Sequence, residues 1–367
     1  MKDRAWVVLR EGERRRSGGD LRRRYLFDGL VKRTGAEIVD DWKPTSIGTT
    51  LRLSLGRRWQ PWRIPALVAS SELLSAAQLE AVVRYGIASV VDVHDEPLVQ
   101  YHALGIETPS DEAARLRRLL DDNLEAFRWH VAQSASFAAL AGMEPARTLV
   151  APNGCDPGHV AVRPVPDVLR VGFVSGAAPG RGIETLIEAA RLARTEIKAL
   201  ELQLWLVATG DATRAYLETL TASVAGEPWI TIGGAPYREL GAALGSASVL
   251  VIPTPQHAYW DTVIPVKLLD SMAAGRPLVV TPRTEMAAIV ERRQAGLVAR
   301  GDTAADLAEP IVRLARDPAL RTRLGANARA AAEEEFSWDV ISARLAAELL
   351  ARRQPWRRRS RRPVPAR

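Results

Sequence analysis

The chain has 367 residues, of which 47% are hydrophobic, and this is enough to bury large cores and to form two domains. Its single cysteine, Cys155, excludes an intramolecular disulfide and is typical of a reducing compartment. The formal net charge is +7, but eight arginines and no acid lie between Arg352 and Arg367, so the rest of the chain carries −1. A nearly neutral body without a recognised nucleic-acid motif argues against nucleic acid as a partner.

No apolar run approaches the roughly 18 to 20 residues that a membrane-spanning helix needs, and the run at 5–9 is shorter than a signal-peptide core. The sequence therefore predicts a cytoplasmic protein. Two basic segments with tryptophans, 57–63 and 355–362, suggest peripheral contact with an anionic membrane at its inner face. The alternatives are a packed loop and a disordered tail, and disorder is favoured for residues 351–367.

Strand-like and helix-like segments alternate along the first half. The strand candidates are short runs rich in β-branched or aliphatic residues and flanked by Gly, Pro or Ser, as in parallel strands that are covered on both faces. They lie at 6–9, 37–39, 66–69, 89–93, 130–132 and 148–151.

The second half repeats this scheme. Its strand candidates lie at 169–174, 203–208, 229–232, 248–252, 277–281 and 296–299. Helical spacing relates Ile183, Leu186, Ile187 and Ala190, and, with one slip, Leu307, Ile311, Leu314 and Leu320. The pattern predicts two doubly wound α/β domains with a boundary near 160–168. Because such sheets bind ligands at the carboxyl ends of their strands, we expect the domains to face each other across a cleft.

A glycine-rich turn, residues 175–182, connects the strand at 169–174 to the helix that follows. Gly176, Gly180 and Gly182 permit close approach of the backbone to a phosphate, and Arg181 adds a positive charge there. Tight turns also need glycine when nothing binds, so this turn by itself is a weak signal.

A second candidate site lies at residues 261–280. Pro265 suits the first turn of a helix, where amides lack partners, and the amides around Val263, Ile264 and Val266 form a seat for a diphosphate. Gly275 is expected to end the helix, and Pro277 prevents its continuation.

Two charged side chains share one face of this helix. Lys267 can add a charge for phosphate, and Asp270, three residues later, can accept two hydrogen bonds from a ribose diol. An ion pair on a surface helix explains the same two residues equally well.

Residues 169–345 resemble the donor-binding half of the retaining GT-B glycosyltransferases of the large group 1 family (family four). The matching segments, in order, are VGFVSG (171–176), RGIETLIEA (181–189), LVATGD (206–211), ITIGG (230–234), PVKLLDSMAAGRP (265–277), AGLV (295–298), GD (301–302), DPALR (317–321), NAR (327–329) and FSW (336–338). Their joint order and spacing carry the resemblance. It implies an α/β fold of the GT-B type, with two Rossmann-like doubly wound domains facing across a cleft.

The first half is less similar but compatible with this family. SGGD at 17–20 resembles the acceptor loop, VDVHD at 91–95 a strand end that carries a histidine at the cleft, and VAPNG at 150–154 the segment before the interdomain linker. The resemblance implies an acceptor-side domain at 1–162, a donor domain at 163–335, a helix at 336–350 that crosses back to the first domain, and the tail.

The resemblance also implies roles for single residues. Arg181 matches the residue that binds the donor diphosphate, and Asp270 the acid that holds the ribose. His94 matches the histidine near the transferred sugar, with Asp261 as a second catalytic candidate. The remaining candidates are the donor-side residues Gly176, Gly234, Thr262, Val263, Ile264 and Lys267, the 233–237 loop beside the base, and the acceptor-side glycines Gly18 and Gly19.

Two positions depart from the family pattern. Thr262 stands where members usually carry an acid, with Asp261 adjacent, and Ala177 stands where an arginine usually follows the glycine that matches Gly176. Both departures bear on the identity of the sugar and on activity.

The resemblance implies transfer of a hexose from a nucleotide diphosphate sugar to a hydroxyl acceptor, namely a glycan, glycolipid or small molecule, with retention at the anomeric carbon. No cofactor is implied. Because no Asp-x-Asp lies at a suitable strand end, we predict metal independence. Two alternatives remain: a catalytically weakened sugar-nucleotide-binding subunit, suggested by Ala177 and Thr262, and a nucleotide-sugar epimerase with the same two-domain fold.

Overall fold

The computed structural model describes residues 7–9, 18–34, 37–39, 67–70, 76–85, 89–93, 103–104, 118, 121–160, 162–164, 166 and 168–351. His94, the basic segment at 57–63 and the tail beyond residue 351 lie outside these ranges. Among the described helices, none combines the length and the apolar character needed to cross a bilayer.

The first half of the chain forms a parallel sheet. Its strands are β1 (Val7–Leu9), β2 (Glu37–Val39), β3 (Leu67–Ser70), β4 (Ser89–Asp92), β5 (Trp129–Ala132) and β6 (Thr148–Val150), in the order β2-β1-β3-β4-β5-β6. The described helices here are α1 (Gly18–Thr34), α2 (Ala76–Tyr85) and α3 (Ala135–Leu140), and 3₁₀ turns lie at Leu124–Ala126 and Pro145–Arg147.

The second half forms another parallel sheet. Its strands are β7 (Arg170–Gly176), β8 (Glu201–Val207), β9 (Ile230–Gly233), β10 (Val249–Ile252), β11 (Leu278–Val280) and β12 (Gly296–Val298), in the order β12-β11-β10-β7-β8-β9. The helices are α4 (Ile183–Glu196), α5 (Asp211–Ser223), α6 (Tyr237–Gly245), α7 (Ala258–Thr262), α8 (Val266–Ala273), α9 (Thr284–Arg292), α10 (Ala304–Arg316), α11 (Pro318–Glu334) and α12 (Trp338–Ala351).

The twelve strands predicted from the sequence are all present, with ends that differ by at most two residues, and the doubly wound α/β fold class is confirmed.

The slip in the helical spacing that the sequence shows between Leu314 and Leu320 has a local cause. Leu307, Ile311 and Leu314 belong to α10, whereas Leu320 belongs to α11, because Asp317 and Pro318 end one helix and start the next. All four leucine and isoleucine side chains are nevertheless buried in the same core.

Strand order decides where a ligand can enter the second sheet. The chain runs from β7 outwards to β8 and β9, then returns to the other side of β7 with β10 and continues to β11 and β12. The segments that leave β7 and β10 therefore diverge to opposite faces and leave a crevice between them. The glycine-rich turn follows β7, and the segment that leads to α7 and α8 follows β10.

One apolar cluster contains residues from both halves of the chain. It includes Phe127 and Phe137 of the first half, together with Tyr259 and Val263 of the second, and all four are buried. The two halves therefore share a core beside the crevice.

The last helix of the chain packs on the first. The Tyr25 and Trp338 rings are stacked with centroids 5.9 Å apart, and Arg33 pairs with Asp339 at 2.7 Å. At the start of α12, the amide of Cys155 donates to Phe336 O (2.9 Å), and the amide of Trp338 donates to Cys155 O (3.0 Å). Residues after α11 are thus tied to the segment that follows β6.

Candidate functional site

A cavity opens at the crevice of the second sheet. Its lining residues are Arg181, Thr254, Trp260, Val263, Pro265, Lys267, Arg283 and Met286. The three cationic side chains come from three different segments, those that follow β7, β10 and β11. The lining contains no acidic side chain, so the cavity suits an anion.

The start of α8 forms one wall of this cavity. Pro265 is the residue before the first helical turn, with ψ of 138°, and the helix runs from Val266 to Ala273. Gly275 adopts a φ of +67° just after the helix, as the sequence predicted for its end. Within the first helical turn the Leu268 amide donates to Pro265 O (3.0 Å). The amides of Val266 and Lys267 have no carbonyl four residues earlier within the helix, and the positive end of the helix dipole lies at this wall.

Lys267 is held at the cavity by two contacts. Its Nζ lies 3.4 Å from Ser175 Oγ and 4.7 Å from the centroid of the Phe173 ring. Burial lowers the pKa of the Lys267 ammonium well below its usual value, and the nearby charge of Arg181 lowers it further. A bound anion would reverse both effects and favour the protonated amine.

Arg181 approaches the same space from the glycine-rich turn. Its guanidinium carbon lies 5.1 Å from the centroid of the Trp260 ring, which is itself buried against the apolar cluster shared by both halves. The sequence prediction that Arg181 and Lys267 share one site agrees with this placement.

The glycines of the turn have different roles from those expected. Gly180 and Gly182 both have positive φ, and a Cβ there would lie 2.4 Å from Ala103 O and 1.8 Å from Pro253 O, respectively. Their close approach is therefore to the protein backbone, which corrects the expectation that they leave room for a phosphate. Of the three, Gly176 alone would accept a Cβ without a clash, because the nearest atom, Val207 O, would be in ordinary van der Waals contact at 3.9 Å.

Asp270 is buried on α8, one helical turn beyond Lys267. Its side chain is 5% exposed and makes no hydrogen bond or ion pair with any described residue. Burial, and then the charge of Asp156, raise the pKa of the Asp270 carboxyl to about 7. Asp270 is not part of the cavity lining, so the structure does not bring it together with Arg181 and Lys267 in this cavity.

Asp261 and Thr262 end α7, directly before the cavity wall. Asp261 Oδ1 accepts from the Thr284 amide (3.3 Å) and lies 3.5 Å from Nη1 of Arg283. The Thr262 hydroxyl donates to Tyr259 O (2.8 Å), so this buried side chain stabilises the end of the helix. Of the two, the Asp261 side chain alone is directed to a charged group of the lining.

The segment between α7 and α8 is bound to the first half of the chain. The Ile264 amide, expected to hold a phosphate oxygen, donates to Gln133 Oε1 (3.0 Å). Asn153 donates to Ile264 O (2.8 Å), and Ser134 donates to Thr262 O (2.7 Å). Val263, between them, lines the cavity. These bonds fix the loop that forms the cavity wall.

The other predicted site residues lie elsewhere. Gly234 is exposed after β9, and a Cβ there would meet nothing closer than Leu206 O at 3.8 Å, so the 233–237 loop is open at this point. Gly18 and Gly19, expected in a loop, form the first turn of α1. His94 lies outside the described residues.

Three residues of the site were not singled out from the sequence. Arg283 follows β11, and Gln133 follows β5, where parallel strands end at the cleft; that position was the available signal. Asn153 lies in the quoted segment 150–154, but its contact with Ile264 depends on how the two halves pack. In the described part of the chain, no three His, Cys, Asp or Glu side chains are grouped as a metal would require.

Comparison with known proteins finds relatives that match mainly this half of the chain. Residues 168–317 match the family described as glycosyl transferases group 1. The chain is 29% identical over 186 residues to an amylovoran biosynthesis glycosyltransferase of Erwinia amylovora, covering 50% of this chain and 45% of that protein. It is 30% identical over 214 residues to a putative colanic acid biosynthesis glycosyltransferase of Salmonella typhimurium, covering 53% and 52%. The matches thus span about half the length of these curated relatives.

Solved structures show the same fold over nearly the whole chain. The Anabaena protein HepE, in complex with UDP and glucose, superposes with a TM-score of 0.67 at 16% identity and covers 94% of this chain and 99% of its own. Sucrose-phosphate synthase of Thermosynechococcus elongatus gives a TM-score of 0.65 at 17% identity, covering 94% and 98%. The two parallel sheets are therefore arranged as in these proteins.

Proposed function

We propose that this chain transfers a hexose from a nucleotide diphosphate sugar to a hydroxyl acceptor, with retention at the anomeric carbon, because its residues 168–317 match the group 1 glycosyl transferases and its two sheets form the GT-B fold. The acceptor is a glycan, a glycolipid or a small molecule. The names of the Erwinia and Salmonella relatives support a role in polysaccharide biosynthesis.

The observation that carries this proposal is the cavity with three cations at the start of α8. Arg181 and Lys267 lie close enough for the charge of one to lower the pKa of the other, so together they favour a ligand with at least two negative charges. A nucleotide diphosphate has this charge, and the amides at the helix start suit its oxygens. Gly176, which is exposed, leaves room for the ligand to approach.

Asp270 supplies the second recognition element of the proposal. A buried carboxyl that has no partner among the described residues is costly unless a ligand satisfies it, and a ribose diol offers two donors for its two oxygens. Gly234 and the 233–237 loop would border the base. The relatives solved with UDP bind that nucleotide, and we propose a nucleotide of this class as the donor.

The chemistry follows from the same groups. The bond between the anomeric carbon and the β-phosphate oxygen breaks, and its electron pair leaves with the diphosphate, where Arg181, Lys267 and the helix amides stabilise the developing charge. The acceptor oxygen forms the new bond to the anomeric carbon, and its proton passes to the leaving diphosphate oxygen, which has gained the electron pair. His94 and Asp261 are the proposed residues at the sugar, and Gly18 and Gly19 would lie on the acceptor side.

Cationic side chains that stabilise the leaving diphosphate can supply what a metal supplies in other transferases, so we propose that transfer does not require one. We also propose a cytoplasmic location with peripheral contact to anionic lipid through the basic segments. Transfer undiminished by a chelator would support metal independence.

The test is a screen of UDP-, GDP- and TDP-sugars by thermal shift, followed by calorimetry with the best donor. We expect Arg181→Ala and Asp270→Ala to weaken binding about 10-fold or more, because each removes a charged hydrogen-bonding partner. The matched control is Arg214→Ala, whose side chain is more than half exposed on α5 and pairs only with Asp211 among the residues described. Donor turnover unchanged in both site variants would refute the assignment.

A catalytically weakened sugar-nucleotide-binding subunit is the second candidate. Two observations favour this candidate. The Thr262 hydroxyl donates its hydrogen bond within α7, and the Asp261 carboxylate already interacts with Arg283 and with the Thr284 amide. Donor binding without turnover across a broad acceptor screen would favour this alternative, whereas product formation without any acceptor would favour an epimerase.

A further inference from the structure

Two buried arginines of the described chain each donate several hydrogen bonds to the protein. Arg22, fully buried, donates to both oxygens of Asp92 and to three further acceptors, Ala151 O, Pro152 O and Asn153 Oδ1. Arg276, 1% exposed, donates through Nη2 to three carbonyl oxygens, although its Nε has no partner among the described residues. These two side chains show how many acceptors the protein supplies to an arginine with a structural role.

Arg283 is different. Its side chain is 6% exposed, yet within the described chain it makes no hydrogen bond, and Nε is fully covered without a partner. Among the described residues its one ion-pair partner is Asp261, whose Oδ1 lies 3.5 Å from Nη1, beyond ordinary hydrogen-bond length. Asp261 also accepts from the Thr284 amide, so it is shared between two donors.

A guanidinium has five N–H donors, and burying them unpaired is strongly unfavourable. Arg283 follows β11 and is the residue directly before α9. Its side chain lies in the lining of the same cavity as Arg181 and Lys267. Arg283 therefore contributes hydrogen-bond donors without described acceptors to the lining of this cavity, where a bound ligand would meet them.

We propose that Arg283 is a third anion-binding residue of the donor site, which grips an oxyanion of the nucleotide sugar at the end of the cavity next to Asp261. This inference rests on the proposed function. Arg181 and Lys267 interact electrostatically with each other, whereas Arg283 faces Asp261 at the end of α7. The oxyanion comes from the β-phosphate or from a carboxylate on the transferred sugar, as in a hexuronic acid.

The experiment compares Arg283→Met and Arg283→Lys with wild type by calorimetry, using UDP, UDP-glucose and UDP-glucuronate, and GDP with GDP-mannose. We expect Arg283→Met to weaken binding about 10-fold or more, since a charged hydrogen bond is lost. Arg283→Lys keeps the charge and should recover part of the affinity. If Arg283→Met loses the same affinity for a nucleotide diphosphate and for its sugar derivatives, the oxyanion is the β-phosphate. If it loses affinity for UDP-glucuronate alone, the oxyanion is the sugar carboxylate.

Thermal melting without nucleotide separates ligand binding from a structural role. A structural arginine would lower the melting temperature when replaced, as we expect for Arg276→Met, whereas Arg283→Met should leave it unchanged or raise it. Arg300→Met is the matched control for binding, because its side chain is 79% exposed and pairs with Glu309.

Two results would count against the inference in distinguishable ways. If wild type binds a nucleotide sugar and Arg283→Met binds it equally well, the inference fails and the proposed function stands. If wild type binds none of the five ligands, the proposed function fails, and with it the role of Arg283.

Discussion

Charged side chains of the candidate site are held in electrostatic surroundings that oppose their usual ionisation. Asp270 is buried with Asp156 nearby, and Lys267 is buried with Arg181 nearby, so each has a neighbour of its own sign. Both arrangements cost folding free energy that a ligand with ribose hydroxyls and phosphate oxygens can recover. Residues selected only for stability would not be placed this way.

The substitution Asp270→Asn tests the unfavourable burial of this carboxyl through the pH dependence of stability. The pKa of Asp270 is raised from 3.8 to about 7 in the folded protein, so ionisation of the unfolded chain lowers the stability of wild type progressively as pH rises from about 4 to 7. The cost above pH 7 is at most about 4 kcal/mol. We expect Asp270→Asn to melt above wild type at pH 8, and by a smaller margin at pH 5, while nucleotide affinity falls.

The control for this prediction is Asp211→Asn, whose side chain is 96% exposed and pairs with Arg214. An exposed ion pair of this kind contributes little to the free energy of unfolding, so we expect a change of melting temperature near zero at both pH values. Equal melting margins for Asp270→Asn at pH 5 and pH 8 would contradict the raised pKa.

Among the elements, the loop between α7 and α8 depends most on distant residues. Gln133 Oε1 accepts from the Ile264 amide (3.0 Å) and from Asn153 Nδ2 (3.3 Å), and Arg22 donates to Asn153 Oδ1 (3.3 Å). This buried chain of hydrogen bonds links the Arg22–Asp92 ion pair of the first half to the cavity wall of the second. The geometry of the wall therefore requires both halves.

We predict that Gln133→Ala and Asn153→Ala each destabilise the protein by about 1 to 3 kcal/mol, because each leaves buried donors or acceptors unmatched. The two effects should be non-additive in a double-mutant cycle, since both residues bond to Ile264 and to each other. Thermal melting and nucleotide calorimetry measure the outcome, and both variants should also weaken donor binding.

The matched control is Gln203→Ala on β8, where the side chain makes one exposed hydrogen bond of 3.4 Å to Thr231 O. Its effect should stay within about 0.5 kcal/mol. Strict additivity of the Gln133 and Asn153 variants would show that the chain of hydrogen bonds does not act as a unit.

At the scale of the whole molecule, the ends of the described chain are joined by α1 and α12. Gly29 of α1 lies against Ser342 of α12 so closely that a Cβ would meet Ser342 Oγ at 2.2 Å. Cys155, tied to Phe336 and Trp338 by backbone bonds, is buried beside this contact, and burial raises the pKa of its thiol. The thiol should therefore react slowly while α12 is docked.

We predict that Gly29→Ala destabilises the protein by about 1 to 3 kcal/mol through this overlap, although alanine by itself favours a helix by about 1 kcal/mol. The rate at which a thiol reagent labels Cys155 should rise, and melting temperature should fall. Adding Ser342→Gly, which removes the clashing atoms, should restore part of both.

Gly226→Ala is the control for this pair, because a Cβ there would meet nothing within 4 Å. It should leave labelling unchanged. A Gly29→Ala variant that labels and melts like wild type would show that the two helices can separate slightly without cost.

The sequence by itself determined the fold class and the position of each strand, because buried parallel strands are short apolar runs whose flanking glycines and prolines are local signals. It also determined the helix start at Pro265 and the joint location of Arg181 and Lys267, since both follow strands that end at one edge of a sheet.

The tertiary structure alone decided the rest. Arg283, Gln133 and Asn153 reach the site from β11, β5 and the segment after β6, and no spacing along the chain encodes those contacts. The glycines of the turn illustrate the same limit. Whether a glycine admits a phosphate or a neighbouring backbone depends on which atoms lie in front of it, and for Gly180 and Gly182 these are backbone atoms brought near by folding.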